Sequence, residues 1–279
     1  MPSRPSGGSG VGRQQLETLI AAVAPCWAGE ALVGRRYLGG SHRTRERDVR
    51  WIGFQAFKEF SGGGVYGGPG ETVASILRAA SQRAAEIGLA TPAHEIDAIL
   101  GDLQFAVDEL RHMTQFIRLY ALAGGAADRS LASLGELPSA RRLASMRHEL
   151  RATPMGRMAV SLSEGGGLGL HFGMREHYAA HPPAVEIDVE IARLTDAILT
   201  DESHHMLARF QAVSGQVQNE RSWRELEQGL VAICTQKLRE RNEQFSYPLR
   251  EDELESIPAD KALGERYTKE HLGFLVAGL

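Results

Sequence analysis

Cysteine is scarce. Cys26 and Cys234 are the only two in the 279-residue chain, they lack metal-type spacing, and no signal-peptide pattern opens the sequence. The expectation is a reducing, cytoplasmic setting. Excess positive charge is also missing: the net charge is −4 and no basic stripe stands out, which argues against nucleic-acid partners. No uninterrupted apolar run approaches the ~20 residues that span a bilayer, so no membrane segment is expected. Alternating polar and apolar patterns are short and few, which excludes a sheet-based fold. Neither a flavin nor a nicotinamide fingerprint is present.

Helical periodicity fills the space these absences leave. Hydrophobic residues make up 43% and charged residues 24%, enough for an ordinary core in one large domain. The opening "MPSRPSGGSGVG" (1–12) reads as a disordered tail, and 13–279 as a single helical domain. Helices are expected at 14–24, 43–60, 71–88, 93–123, 138–162, 164–180, 185–213 and 219–245, with a short terminal helix after Tyr247. Breakers at 61–70, 91–92, 123–130 and 181–183 separate them.

Two segments carry the chemistry. "DELRHM" (108–113) and "DESHHM" (201–206) each hold Asp-Glu-x-x-His-Met, and each follows a Glu-Ile-Asp, at 95–97 and 186–188. Positions i and i+3 share a helix face, so Glu109 with His112, and Glu202 with His205, each direct a carboxylate and an imidazole to a common point. With 25 Glu and 10 His, chance supplies roughly one Glu-x-x-His; a doubled motif with the same flanking Asp and Met is a strong signal.

A four-helix bundle holding a pair of iron or manganese ions takes one Glu from each of two helices and a Glu-x-x-His from each of the other two. Hairpins turning near 91 and 183 place the single glutamates near 73 and 164. Glu71 and Glu164 fit, with equal spacings (109 − 71 = 38; 202 − 164 = 38). Glu59, which like Glu164 precedes a triple glycine, is the rival to Glu71; the breaker run at 61–70 ends its helix and favours Glu71. Four facing glutamates repel one another, whereas two divalent ions (+4) neutralise four carboxylates (−4). Oxygen and nitrogen ligands suit two Fe ions, with Mn as the other choice. Asp108 and Asp201 would accept the imidazole N–H and fix each ring's tautomer.

At these residues the sequence resembles the hydroxylase large subunits of bacterial multicomponent monooxygenases. "ETVAS" from Glu71 resembles the stretch around that family's first iron-binding glutamate, and "SEGGG" around Glu164 stands where the third lies. The resemblance covers roughly 71–210. It implies an all-α, ferritin-like four-helix bundle with additional flanking helices. It further implies one iron on Glu71, Glu109 and His112, and the other on Glu164, Glu202 and His205. The activity implied is O2-dependent hydroxylation or epoxidation of a small organic substrate, with N-oxygenation in stand-alone relatives. A ferredoxin or flavoprotein reductase would supply electrons, and the protein would be a homo-oligomer, a dimer. Two positions depart from the family: its threonine one turn after the third glutamate is Leu168 here, and the arginine inside its second motif is His204. An iron-storage or ferroxidase protein, or a manganese catalase-like enzyme, is the alternative.

Other residues have two readings each. "EGGGLGL" (164–170) is either a loop or kink, or a wall cleared for O2 and substrate. His171, seven residues after Glu164, is a structural histidine, or else a further ligand or proton donor. Phe105 and Phe116 flank Glu109 as core or pocket lining. Phe116 also stands where a radical-storing reductase subunit would carry tyrosine, leaving Tyr120 as the nearby alternative. Arg209 shares the face of Glu202 and His205; it is a solvated arginine, or it neutralises a carboxylate or holds an anionic substrate.

Overall fold

Pro25 should end a helix, since it lacks the N–H that binds residue i−4 and its ring crowds the preceding turn, at about 3 kcal/mol. In the computed structural model the first helix instead runs through it, from Gly10 to Gly39 (α1). The expected helix at 14–24 is thus extended at both ends. The residues after Pro25 explain why: Cys26, Trp27, Ala28, Ala31 and Val33 are all buried, and the burial of Trp27 and Val33 alone offsets a penalty of that size. The structure describes residues 10–60, 71–214 and 216–279, without the side chains of 10–11, 60, 71–75, 131–132 and 214. The expected disordered tail falls outside this range except at its end, where Gly10 to Gly12 already belong to α1.

The expectation about apolar runs also needs correction at α1. By length and composition a window within Gly12–Gly39 could cross a membrane, with a mean hydropathy of 1.4, but 72% of it is buried inside the fold. The helix is apolar because other helices surround it.

The remaining helices are α2 (Arg45–Phe60), α3 (Glu71–Ala85), α4 (Ala93–Leu122), α5 (Pro138–Leu150), α6 (Pro154–Leu162), α7 (Gly165–Ala180), α8 (Glu186–Ser214), α9 (Glu220–Gln244), α10 (Glu251–Ser256), α11 (Lys261–His271) and α12 (Gly273–Gly278). No strand occurs among the described residues, so the protein is all-α. Three of the four expected breaks stand: Pro92 begins α4, Gly124 (φ +91°) follows α4, and His181 ends α7. The fourth, at 61–70, lies outside the described residues. The helix expected at 138–162 is two, because Thr153 accepts a hydrogen bond from the Gly156 amide and Pro154 opens a new helix. The chain after Tyr247 forms three short helices rather than one.

Packing sets the frame for the site. α2 lies on α4, α7 on α8, and α4 touches α8, so these four helices enclose a common interior. α1 backs α7, while α9 lies against α1, α5 and α6 and closes the interior. Two apolar clusters fill the molecule: one around Trp27, Phe210 and Leu230, the other around Trp51, Phe116 and Phe245. Glu30, Gln55, Lys58, His112, Arg147, His171, Lys237, Glu240 and Arg241 are buried and belong to neither. Nearly all of them border the site.

Candidate metal centre

α4 carries Glu109 and His112, and α8 carries Glu202 and His205. Glu164 sits where α6 passes into α7, and Glu59 lies in the last turn of α2. A cavity of about 330 Å³ is bordered by Glu59, Glu109, His112, Glu164, Glu202 and His171. His205 stands just behind this rim, its Nδ1 3.7 Å from Glu202 Oε2. The two Glu-x-x-His motifs therefore meet in one place, and Glu164 meets them.

The fourth carboxylate there is Glu59. The preference for Glu71 assumed that a helix ending near 60 removes Glu59 from the site. α2 does end at Phe60, yet its last turn is what presents Glu59 to the cavity, where Gln55 Nε2 donates to Glu59 Oε1 at 2.6 Å. Glu71 opens α3, whose packing partner is α4; its side chain lies outside the described residues.

The aspartates work crosswise. His112 Nε2 is 3.1 Å from Asp201 of the second motif, and His205 Nε2 is 3.5 Å from Asp108 of the first. Arg111 spans both, with Nη1 3.0 Å from Asp108 and 3.5 Å from Asp201, and Gln104 Nε2 donates to Asp108 at 2.9 Å. A carboxylate accepts, so Asp201 favours the His112 tautomer with its proton on Nε2 and Nδ1 bare; His205 Nε2 faces Asp108 in the same way, while Glu202, against burial, raises the His205 pKa. Both Nδ1 atoms are buried without a hydrogen-bond partner. They converge on a single carboxylate: His112 Nδ1 lies 3.9 Å from Glu202 Oε1 and His205 Nδ1 3.7 Å from Glu202 Oε2. Buried acceptors without a donor are costly unless something with positive charge meets them.

The glutamates differ electrostatically. Burial, then the charges of Glu59, Glu202 and Glu164, push Glu109 up to about 9. Burial raises Glu59 too, against His112 and the Gln55 hydrogen bond. At Glu164 burial acts upward, but Lys237, Arg147, Arg209 and Lys58 prevail and hold it at about 2. Arg147 Nη2 stands 3.7 Å from Glu164 Oε1. Crowding that keeps Glu59 and Glu109 from ionising readily is the state a pair of divalent ions relieves. Four carboxylates and two imidazole Nδ1 atoms form a donor set that fits iron or manganese.

The neighbouring residues divide as follows. His171 lines the cavity, and burial, followed by the charges of Arg241 and His112, lowers it to about 3, so it is a neutral imidazole and no imidazolium proton donor. Phe105 packs on His205, ring centroids 4.8 Å apart, and Phe116 belongs to the core. Tyr120 packs at the margin of that same core cluster. The run after Glu164 is helical, neither loop nor open wall. A side chain at Gly165 would strike the Trp27 indole, at Gly169 the Trp27 carbonyl and at Gly173 the Ala31 carbonyl. These glycines let α7 approach α1, and only Gly167 borders the cavity with open space beside it.

Sequence reasoning missed the polar floor of the cavity. Lys58 pairs with Glu240 at 3.1 Å, and Arg241 joins Glu30 (3.1 Å), Gln55 (2.8 Å) and Gln244 (2.7 Å). Lys237 donates to the Ser163 carbonyl at 2.7 Å. The available signal was "QKLRERNEQ" (236–244), a helical stretch polar on nearly every face, which needs either solvent all round or a polar interior to meet.

A second cluster, Glu176, Glu270 and His271, is the one group of three among the described residues whose metal-binding atoms all lie within 4.8 Å of one another. Glu176 there is already paired: Arg35 binds its Oε2 at 3.0 Å and His271 Nε2 meets its Oε1 at 2.9 Å. In comparison with known proteins, the chain matches no family model, no curated protein and no solved structure. The chemistry of the site therefore has to be argued from its own side chains.

Proposed function

We propose that the chain is a ferritin-like di-iron carboxylate oxygenase, inserting oxygen from O2 into a small organic substrate by hydroxylation, epoxidation or N-oxygenation. One observation carries this reading: a buried imidazole (His112) and a half-buried one (His205), each facing the other motif's aspartate, turn unpartnered Nδ1 atoms onto Glu202 in a cavity with three more glutamates. Glu59, Glu109, His112, Glu164, Glu202 and His205 would hold two iron ions, or manganese, with Glu71 the remaining rival of Glu59. Bound there, the metals supply the redox chemistry and the O2 activation.

The chain's own residues provide the rest. Asp108 and Asp201, clamped by Arg111, face the Nε2 side of the two rings and so aim each Nδ1 at Glu202. Glu202 faces both rings and would be the carboxylate within reach of either half of the site. Phe105, Val160 and Ile198 give the cavity an apolar side that limits water. With no flavin or nicotinamide fingerprint in the sequence, electrons come from a partner, a ferredoxin or flavoprotein reductase. A cytoplasmic homodimer remains the proposed form. Supporting it, Leu100, Leu103, Val107, Leu110 and Ile117 form an exposed apolar stripe along α4.

Anaerobic titration with Fe(II) tests the proposal. Saturation at about two ions per chain is expected, followed by O2 uptake only in the loaded protein. Saturation below one ion per chain, with no change in thermal stability, would remove the proposal.

A further inference from the structure

The cavity of the proposed metal site is also lined by cations, on the side of Glu164. Arg147, Arg151, Arg209 and Lys237 all border it. Arg147 is 2% exposed, and its Nε and Nη2 are buried without hydrogen-bond partners. Lys237 is likewise buried and reaches a backbone carbonyl rather than a carboxylate. Arg209 Nη1 meets the Ser161 carbonyl at 3.3 Å while its guanidinium covers the Phe105 ring. Between this group and the four glutamates there is a single ion pair, Arg147 to Glu164 at 3.7 Å. The other two buried cations, Lys58 and Arg241, already have Glu240 and Glu30.

Charge balance decides what the four cations are for. The inference rests on the di-metal reading: two divalent ions match Glu59, Glu109, Glu164 and Glu202 (+4 against −4), so with metal bound Arg147, Arg151, Arg209 and Lys237 lose Glu164 as their counter-charge. A buried guanidinium with two unused donors is a site for a planar, two-oxygen acceptor. Phe105, Val160 and Ile198 meanwhile offer apolar contact in the same cavity.

We infer that the substrate is a small organic carboxylate, its carboxyl group held by Arg147 with Arg151 and Arg209 and its apolar body lying against Phe105, Val160 and Ile198 toward the glutamates. It gives the small organic substrate that the resemblance implies one anionic end. It assigns Arg147 a positioning role: anchoring one end of the substrate fixes which of its atoms faces the metals.

Calorimetry on the full-length protein tests this, metal-free and Fe(II)-loaded under anaerobic conditions. The probes are benzoate and hexanoate, their neutral amides, and inorganic phosphate. At least one carboxylate should bind saturably, at least tenfold tighter than its amide, and more tightly in the loaded protein. Arg151→Gln and Arg209→Gln, at partly exposed positions that should still fold, should each weaken it about tenfold. Arg193→Gln, at an exposed pair with Glu190, should leave it unchanged. Phosphate binding more tightly than either carboxylate would overturn the carboxylate assignment. So would equal binding of acid and amide, no binding by any probe, or carboxylate affinity insensitive to the two arginine variants. Two irons bound with no carboxylate affinity removes this inference alone; carboxylate affinity in a protein that takes up no iron removes the metal reading instead.

Discussion

Glu59 and Glu71 are separated by a simple experiment. If Glu59 completes the carboxylate set, Glu59→Ala should lower the Fe(II) stoichiometry by about one ion per chain, while Glu71→Ala keeps both, read by metal analysis after desalting. Asp201→Asn should weaken iron binding by roughly 10–100-fold, because the amide no longer holds the His112 ring with Nδ1 free. Titration offers an independent check. Glu109 is raised to about 9, so in the metal-free protein the folded state keeps a proton that the unfolded chain has lost above about 4.5. The folded state binds more protons over that window, so this group makes metal-free stability fall as pH rises from about 5 to 9. Iron displaces that proton, so loading should release acid near pH 7 and flatten the pH dependence of the melting temperature. A melting temperature of the metal-free protein that climbs steadily from pH 5 to 9 would contradict this account.

At the scale of elements, the crossing of α1 and α7 governs the position of Glu164. Gly173→Ala places a methyl against the Ala31 carbonyl and Gly169→Ala against the Trp27 carbonyl, both backbone atoms that cannot step aside. Each should destabilise the protein by about 1–3 kcal/mol in denaturant unfolding. Gly167→Ala meets open space and gains helix propensity, so its stability should rise by up to about 1 kcal/mol. The contrast tests whether the glycines serve packing. The internal repeat also divides at this scale. Glu-Ile-Asp lies in the first turns of α4 and α8, where acidic residues suit the helix dipole, while Asp-Glu-x-x-His-Met lies mid-helix at the site. One repeated pattern thus combines a helix start with a ligand set.

For the molecule as a whole, the α4 stripe is an apolar face left uncovered among the described residues. Its spacing of three, four, three and seven residues from Leu100 to Ile117 follows a heptad-like seam. Light scattering should report a dimer, and the double variant Val107→Lys, Leu110→Lys should be monomeric with unchanged helical circular dichroism. A monomeric wild type would remove the dimer from the proposal.

Helical class, most helix positions and the two Asp-Glu-x-x-His motifs were legible in the sequence, because periodicity and i, i+3 spacing are local properties of one helix. So was Glu164, through the hairpin between α7 and α8. The same hairpin logic points to Glu71, whose side chain lies outside the described residues; among the described side chains it is Glu59 of α2 that shares the cavity with α4. The continuation of α1 through Pro25, the crosswise aspartates, the purpose of the glycines and the cationic wall from α5, α8 and α9 all depend on contacts between segments distant in the chain. Local pattern determined which residues each helix could offer to a metal. Tertiary packing decided which of them meet, because burial, ion pairing and close approach are settled only when the helices come together.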